Sequence, residues 1–250
     1  MAFALAAAAF APGLAVGSFL NVVAARVPLR RSLVRPQSAC MSCSAPIAWY
    51  DNVPLVSYLV LRGRCRACGA RIGLVYPAVE LAAAVLIAGC VLVFGLTLEA
   101  AIAAFFCCVL VAVSAVDLAH RIVPDRIVLP ATVLVLAAQT VREPSLEWPL
   151  AALGASLFLF LAVLAHPAGM GMGDVKLALV MGAALGKVVA VALMLGMVAA
   201  LVPGLYLLAR HGSAARKMSI PFAPFLALGS IVALFAGHEL LARYLNLLGA

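Results

Sequence analysis

Charge is scarce in this chain. Only 10% of its 250 residues are Asp, Glu, Lys or Arg, and just nine residues are acidic. A soluble domain carries about 25% charged residues and is about half apolar, whereas here 67% of residues are hydrophobic and the mean hydropathy is +1.20. An ordinary water-soluble globular domain is excluded. The chain also lacks a basic residue ahead of its first apolar run, so the N-terminus reads as a retained helix rather than a signal peptide. Internal repeats and low-complexity linkers are absent, so no repeat array is in question.

What the chain has instead is a series of apolar runs that approach or exceed the roughly 18 residues demanded by a hydrocarbon core about 30 Å thick. Run length, flanking charge and Gly/Pro punctuation place membrane spans at residues 3–25, 75–96, 99–116, 126–141, 149–166, 188–209 and 222–243, with a weaker one at 175–186. The expected fold is an all-α polytopic membrane protein of about eight transmembrane helices with a small cytoplasmic four-cysteine zinc loop. Three regions follow: a first transmembrane helix (1–25), a cytoplasmic zinc-binding loop (26–74) and a seven-helix bundle (75–250).

Net charge is +8, but the basic residues collect in loops beside apolar spans. There the positive-inside rule accounts for them, so nucleic acid is not an expected partner. With the N-terminus outside, 14 of the 17 Lys and Arg fall on the cytoplasmic side: Arg26, Arg30, Arg31, Arg35, Arg62, Arg64, Arg66, Arg71, Arg121, Arg126, Lys176, Arg210, Arg216 and Lys217. Omitting the weak span would invert everything after it and destroy that bias.

Seven cysteines are present. Cys90, Cys107 and Cys108 lie in apolar runs and read as small core fillers. Cys40 and Cys43 form one C-x-x-C pair, and after 21 residues Cys65 and Cys68 form another, a spacing that folds four thiolates around one tetrahedral Zn²⁺. Arg62, Arg64, Arg66 and Arg71 crowd the second pair and favour thiolate over thiol. Two disulfides are the alternative, disfavoured in the reducing compartment where the charge count puts this loop. Four protein ligands leave no open coordination position, so the expected zinc is structural.

An ionisable group in or beside a membrane span is costly enough to demand a reason. Asp117 follows the apolar run of the third span, and Asp174 closes Gly171-Met172-Gly173-Asp174. Brought together, two carboxylates share one proton, because like charges at close range do not both ionise. Such a pair activates water: the ionised member takes its proton, and the protonated member donates to the developing oxyanion or leaving group. The glycines before Asp174 permit a close approach by an extended peptide. Other readings stay open: Asp174 as a helix cap and Asp117 as a partner of Arg121. Asp125, after Pro124, reads as a cap rather than a catalytic partner. Glu80, Glu99 and Glu239 read as interface or packing charges. His120 and His166 are candidate acid–base helpers, with local structural roles equally available.

Taken in order, these motifs resemble the type IV prepilin peptidase family of GxGD aspartyl proteases along nearly the whole chain. The matching segments are Gly17-Ser18-Phe19-Leu20-Asn21-Val22-Val23 with Arg26-Val27-Pro28, the cysteine pairs with Trp49-Tyr50-Asp51-Asn52-Val53-Pro54 between them, and Tyr76-Pro77-Ala78-Val79-Glu80. They continue with Asp117 to Asp125 and with Gly171 to Asp174 followed by Lys176. Met41 departs from the proline found there in many members. The resemblance implies cleavage after the glycine that ends the short basic leader of type IV prepilins or type II secretion pseudopilins, at the cytoplasmic face of a bacterial inner membrane. Asp117 and Asp174 would form the dyad, with Asp125, Gly171, Gly173 and Lys176 supporting it. It also implies N-methylation of the new N-terminus with S-adenosyl-L-methionine as donor, and Gly63 matches a position associated with methyl transfer. The competing readings are a GxGD protease that cuts within helices, a zinc-stabilised membrane scaffold and a proton-coupled transporter. Zinc argues against the first, and carboxylates gathered at one membrane face argue against the last.

Overall fold

The computed structural model describes residues 2–166, 170–212 and 220–248. Among these the secondary structure is helical, and the chain divides into two compact units, Met1–Val116 and Asp117–Ala250.

In the first unit, α1 (Ala2–Arg26) packs on α3 (Val75–Phe94). The contact depends on small residues four apart. A Cβ on Gly13 would lie 2.7 Å from the Ala84 Cα, and one on Gly17 would lie 2.5 Å from the Glu80 Cα. Backbone therefore rests directly on backbone, the way membrane helices gain van der Waals contact when lipid supplies no hydrophobic drive. Asn21 adds a side-chain hydrogen bond to the Tyr76 carbonyl at 3.0 Å. Between these helices the loop carries a 3-10 turn (Trp49–Asn52) and one short α-helix, α2 (Val56–Val60). It begins where Leu55 N–H donates to the Glu80 carboxylate at 2.8 Å. Glu80, expected to be a packing charge, thus ties loop to helix. α4 (Leu98–His120) follows and carries the chain into the second unit.

The second unit holds α5 (Asp125–Arg142), α6 (Glu147–Ala165), α7 (Met172–Leu185), α8 (Val189–His211) and α9 (Ala223–Leu248). Helix α7 is the centre: Leu177, Ala178, Val180, Met181 and Ala183 are buried. At 14 residues it is short for a span, and it packs against protein, with α6 seated on Gly182 at Ala151 and Ala152 and with Gln139 of α5 donating to the Ala184 carbonyl at 3.1 Å. Gly186 breaks the chain at φ +55, a conformation that suits glycine, and Lys187 N–H donates to the Glu147 carboxylate at 2.9 Å. α8 and α9 meet at Gly196 and Gly229, again backbone to backbone.

A long helix stands at each of the eight expected spans, but among the described residues six stretches are long and apolar enough to cross a membrane. The difference has two sources. Met172–His211 reads as one 40-residue apolar stretch containing both α7 and α8, and α5 is only 18 residues long and holds Asp125, Arg126 and Arg142. The charge count also used Arg216 and Lys217, which lie outside the described residues.

Candidate active site and cysteine cluster

α4 runs past its apolar stretch to His120, which puts Asp117 inside its last turn. The helix stops where Arg121 takes φ +55 and returns its N–H to the Asp117 carbonyl at 2.8 Å, an αL ending. Asp174 sits in the first turn of α7, preceded by Gly171 in extended conformation. Of the nine acidic residues, Asp117 and Asp174 alone are buried, at 6% and 8% exposure. Both belong to the second unit, and they are close enough for the charge of Asp117 to act on Asp174.

Each aspartate is tied to backbone. Asp117 Oδ2 accepts the Ala223 N–H at 3.1 Å. That donor is one of the unpaired amides at the start of α9, where the helix dipole also favours a carboxylate. Asp174 donates its own N–H to the Gly171 carbonyl at 3.1 Å, and its carboxylate lies close to Gly171, a side chain turned back across the first turn. The capping reading is therefore compatible with Asp174's place beside Asp117. The role of Ala223 was not foreseen from sequence. The only signal was Pro221 and Pro224 flanking it, a mark of a helix's first turn.

The two glycines of the Gly171–Asp174 segment differ. A Cβ on Gly173 would lie 2.7 Å from the Val123 Cβ, whereas one on Gly171 would meet nothing closer than 3.8 Å. Gly173 thus allows α7 to seat against the 121–124 turn. Asp125 is the first residue of α5, no side-chain cap forms there, and its carboxylate accepts Lys176 Nζ through both oxygens at 2.7 and 2.8 Å. Reading Asp125 as a cap missed this pairing, because Lys176 is 51 residues away in sequence.

The four-cysteine loop folds as two copies of one hairpin. Cys40 N–H donates to the Ala45 carbonyl and Ser44 N–H to the Cys40 carbonyl; Cys65 N–H donates to the Ala70 carbonyl and Gly69 N–H to the Cys65 carbonyl, all at 2.8–2.9 Å. The fifth residue of each copy, Ser44 or Gly69, has positive φ. The result brings all four Sγ atoms within 4.8 Å of one another, with Cys40 and Cys68 at 3.9 Å. Zn–S bonds of about 2.3 Å in a tetrahedron require sulfurs about 3.8 Å apart. The donors thus fit a metal ion. N–H groups of Cys43 and Ser42 turned toward Cys40 bring its thiol down to about 6, toward the thiolate a metal needs. Gly63 precedes the second hairpin at φ +65, with the Tyr58 hydroxyl 2.8 Å from where its Cβ would be. Its N–H bonds the Tyr58 carbonyl, and its carbonyl accepts from Ile72. Arg66 clamps Asp51 through two hydrogen bonds at 2.6 and 2.7 Å, which holds the Asp51 carboxyl below the usual carboxylate range. Cys90 and Cys107 face each other within the first unit as buried thiols.

Comparison with known proteins covers both regions. Residues 12–94 match the Bacterial Peptidase A24 N-terminal domain, and residues 104–207 match the Type IV leader peptidase family. The chain is 36% identical over 241 residues to a "Prepilin leader peptidase/N-methyltransferase" of Bacillus subtilis, covering 94% of this chain and 96% of that one. It is 35% identical over 268 residues to a protein of that name from Pseudomonas aeruginosa, covering 95% and 92%. A shorter match, 49% over 121 residues, is found in Myxococcus xanthus and covers 48% and 36%. No solved structure matches.

Proposed function

The chain belongs to the type IV leader peptidase family, and from that premise we propose that Asp117 and Asp174 are the dyad with which it removes the leader of prepilins or pseudopilins. The observation that carries this is the burial of just these two acids out of nine, both in one unit and within reach of each other's charge. The dyad holds one proton between its carboxylates. The ionised member takes a proton from water, whose oxygen attacks the carbonyl carbon of the leader's last glycine, while the protonated member donates to the carbonyl oxygen. Collapse of the tetrahedral intermediate breaks the C–N bond, and a proton passes to the departing amine. The Ala223 N–H orients the Asp117 carboxylate and the first turn of α7 fixes the backbone of Asp174, so both acids are placed before substrate arrives. Lys176 and Asp125 tie α7 to α5 beside the site.

The substrate is itself a membrane helix with a basic leader, so an enzyme in the same bilayer meets it without extracting it from lipid. The charge bias supports a bacterial inner-membrane location with the site on the cytoplasmic side, at the ends of α4 and α7. For residues 26–74 we read a zinc-binding region: Cys40, Cys43, Cys65 and Cys68 would hold Zn²⁺, which supplies a fold-stabilising crosslink and leaves no open position for substrate. The relatives' names pair the peptidase with an N-methyltransferase, and we extend that activity to this chain with S-adenosyl-L-methionine as donor. Gly63's geometry fits a support for the second cysteine hairpin, so it is assigned to positioning rather than to donor contact. A scaffold or transporter role is not favoured, because the family's named activities are enzymatic.

The test is incubation of detergent-purified protein with a prepilin and donor, followed by mass spectrometry of the product N-terminus. A product beginning directly after the leader glycine, carrying an added methyl, is expected. Intact prepilin after incubation with folded enzyme would refute the peptidase reading, and an unmethylated product would refute the second activity.

A further inference from the structure

The loop between α1 and α3 exposes more apolar surface than a segment facing water should. Trp49, Val56, Leu59 and Val60 are 83%, 54%, 73% and 70% exposed. Val56, Leu59 and Val60 are spaced i, i+3, i+4, one face of α2, while Ser57 on the other face is buried and bonded to the Tyr50 carbonyl and the Val53 N–H. The helix therefore turns its polar side into the protein and its apolar side out, the reverse of a soluble surface helix.

Depth explains the reversal. Leu55 N–H, at the start of α2, is bonded to the carboxylate of Glu80, five residues into a membrane-spanning helix that begins at Val75. At 1.5 Å per residue the tie lies about 7.5 Å along α3, and the headgroup layer on each side of a bilayer is about 5–7.5 Å deep. A tie that near the start of an apolar span is where the lipid interface is expected. Beside it the charge is of one sign: residues 26–74 contain the arginines 26, 30, 31, 35, 62, 64, 66 and 71 and a single acid, Asp51, which Arg66 already occupies. Arg62 and Arg64 directly follow α2 and are exposed. Exposed Trp is also the side chain most at home in the headgroup zone.

We propose that α2 and its flanks form an interfacial anchor. Trp49, Val56, Leu59 and Val60 insert at the headgroup–acyl boundary of the bilayer spanned by α1 and α3, and Arg62 and Arg64 bind the phosphates of anionic lipids. An apolar face for the acyl region and basic residues for anionic headgroups are the two ingredients of interfacial binding. The anchor presses the cysteine hairpins against the membrane surface. The inference is independent of the peptidase reading.

The full-length protein in lipid nanodiscs tests it. The emission of wild type minus that of Trp49→Phe isolates Trp49 without touching Trp148, the one other tryptophan. In discs containing phosphatidylglycerol, brominated acyl chains are expected to quench Trp49 and acrylamide to leave it bright. Leu59→Glu, which changes an exposed residue, is expected to abolish the lipid quenching while circular dichroism stays native. Replacing phosphatidylglycerol by phosphatidylcholine, or introducing Arg62→Gln with Arg64→Gln, is expected to weaken it. Quenching by acrylamide and not by brominated lipid would overturn the proposal. So would equal lipid quenching in anionic and zwitterionic discs, or protection of Trp49 that arises only when a prepilin is added, which would make the occupant a protein.

Discussion

Gly173→Ala is the substitution for which the structure yields the most quantitative expectation. The added methyl carbon would lie 2.7 Å from the Val123 Cβ and 3.2 Å from its Cγ2, against about 3.5–4.0 Å for an ordinary carbon–carbon contact. The neighbour is a branched side chain joined at its Cβ, so no terminal rotation relieves the collision. The start of α7 and the 121–124 turn must separate by about 1 Å, at an overpacking cost of about 1–3 kcal/mol. Asp174 is the next residue, and a 1 Å misplacement of a reacting group lowers the rate by about 10²-fold. Initial cleavage rates on a prepilin, with thermal unfolding measured in parallel, give both quantities. Gly171→Ala is the control: its Cβ would meet nothing closer than Asp174 Oδ2, at 3.8 Å, its φ of −85° is ordinary, and it should unfold like the wild type. Val123→Gly removes the colliding carbon and should restore much of the lost rate in Gly173→Ala. Wild-type cleavage by Gly173→Ala, or no recovery in the double variant, would refute the steric argument.

Cys40→Ser should remove bound zinc from the purified protein, loosen the loop to proteolysis and depress methyl transfer more than cleavage; metal analysis that finds no zinc in the wild type would contradict the site. Asp125→Asn and Lys176→Gln should each lower cleavage modestly, since a partly exposed ion pair contributes about 0–1 kcal/mol. Their double variant should be no worse than either single one, because each loses the same bond. The Asp51 carboxyl lies below its unfolded value near 3.8, so its contribution to stability is complete above that pH and is lost as pH falls through the lower folded value. Loop protection in wild type and Asp51→Asn should therefore differ near neutrality and converge below about pH 4, read by proteolysis at graded pH.

Much of this was legible from the sequence because bilayers constrain it strongly. Apolar run length located every long helix, and the C-x-x-C spacing located the cysteine cluster, since neither depends on distant contacts. Apolarity alone separates the spans less well where the physics is tertiary, and α7 and α8 form one apolar stretch. α7 is apolar and buried among its neighbours, and α5 carries three charges within 18 residues. The candidate site was half legible. Asp117 and Asp174 stand out because acids are rare in apolar sequence. Their holders do not: the Ala223 N–H is a backbone group, and the Lys176 partner of Asp125 and the Glu80 partner of Leu55 are set by packing across 51 and 25 residues. Gly173 and Gly171 looked alike in sequence, and only the position of Val123 separates them.

The dyad itself is tested by Asp117→Asn and Asp174→Asn, which remove a charge and almost no volume. Cleavage of a prepilin by each, measured beside circular dichroism in detergent, should fall by about 10²- to 10⁴-fold with helix content unchanged, and the double variant should be no slower than either single one. Cleavage at the wild-type rate by either variant would contradict the assignment.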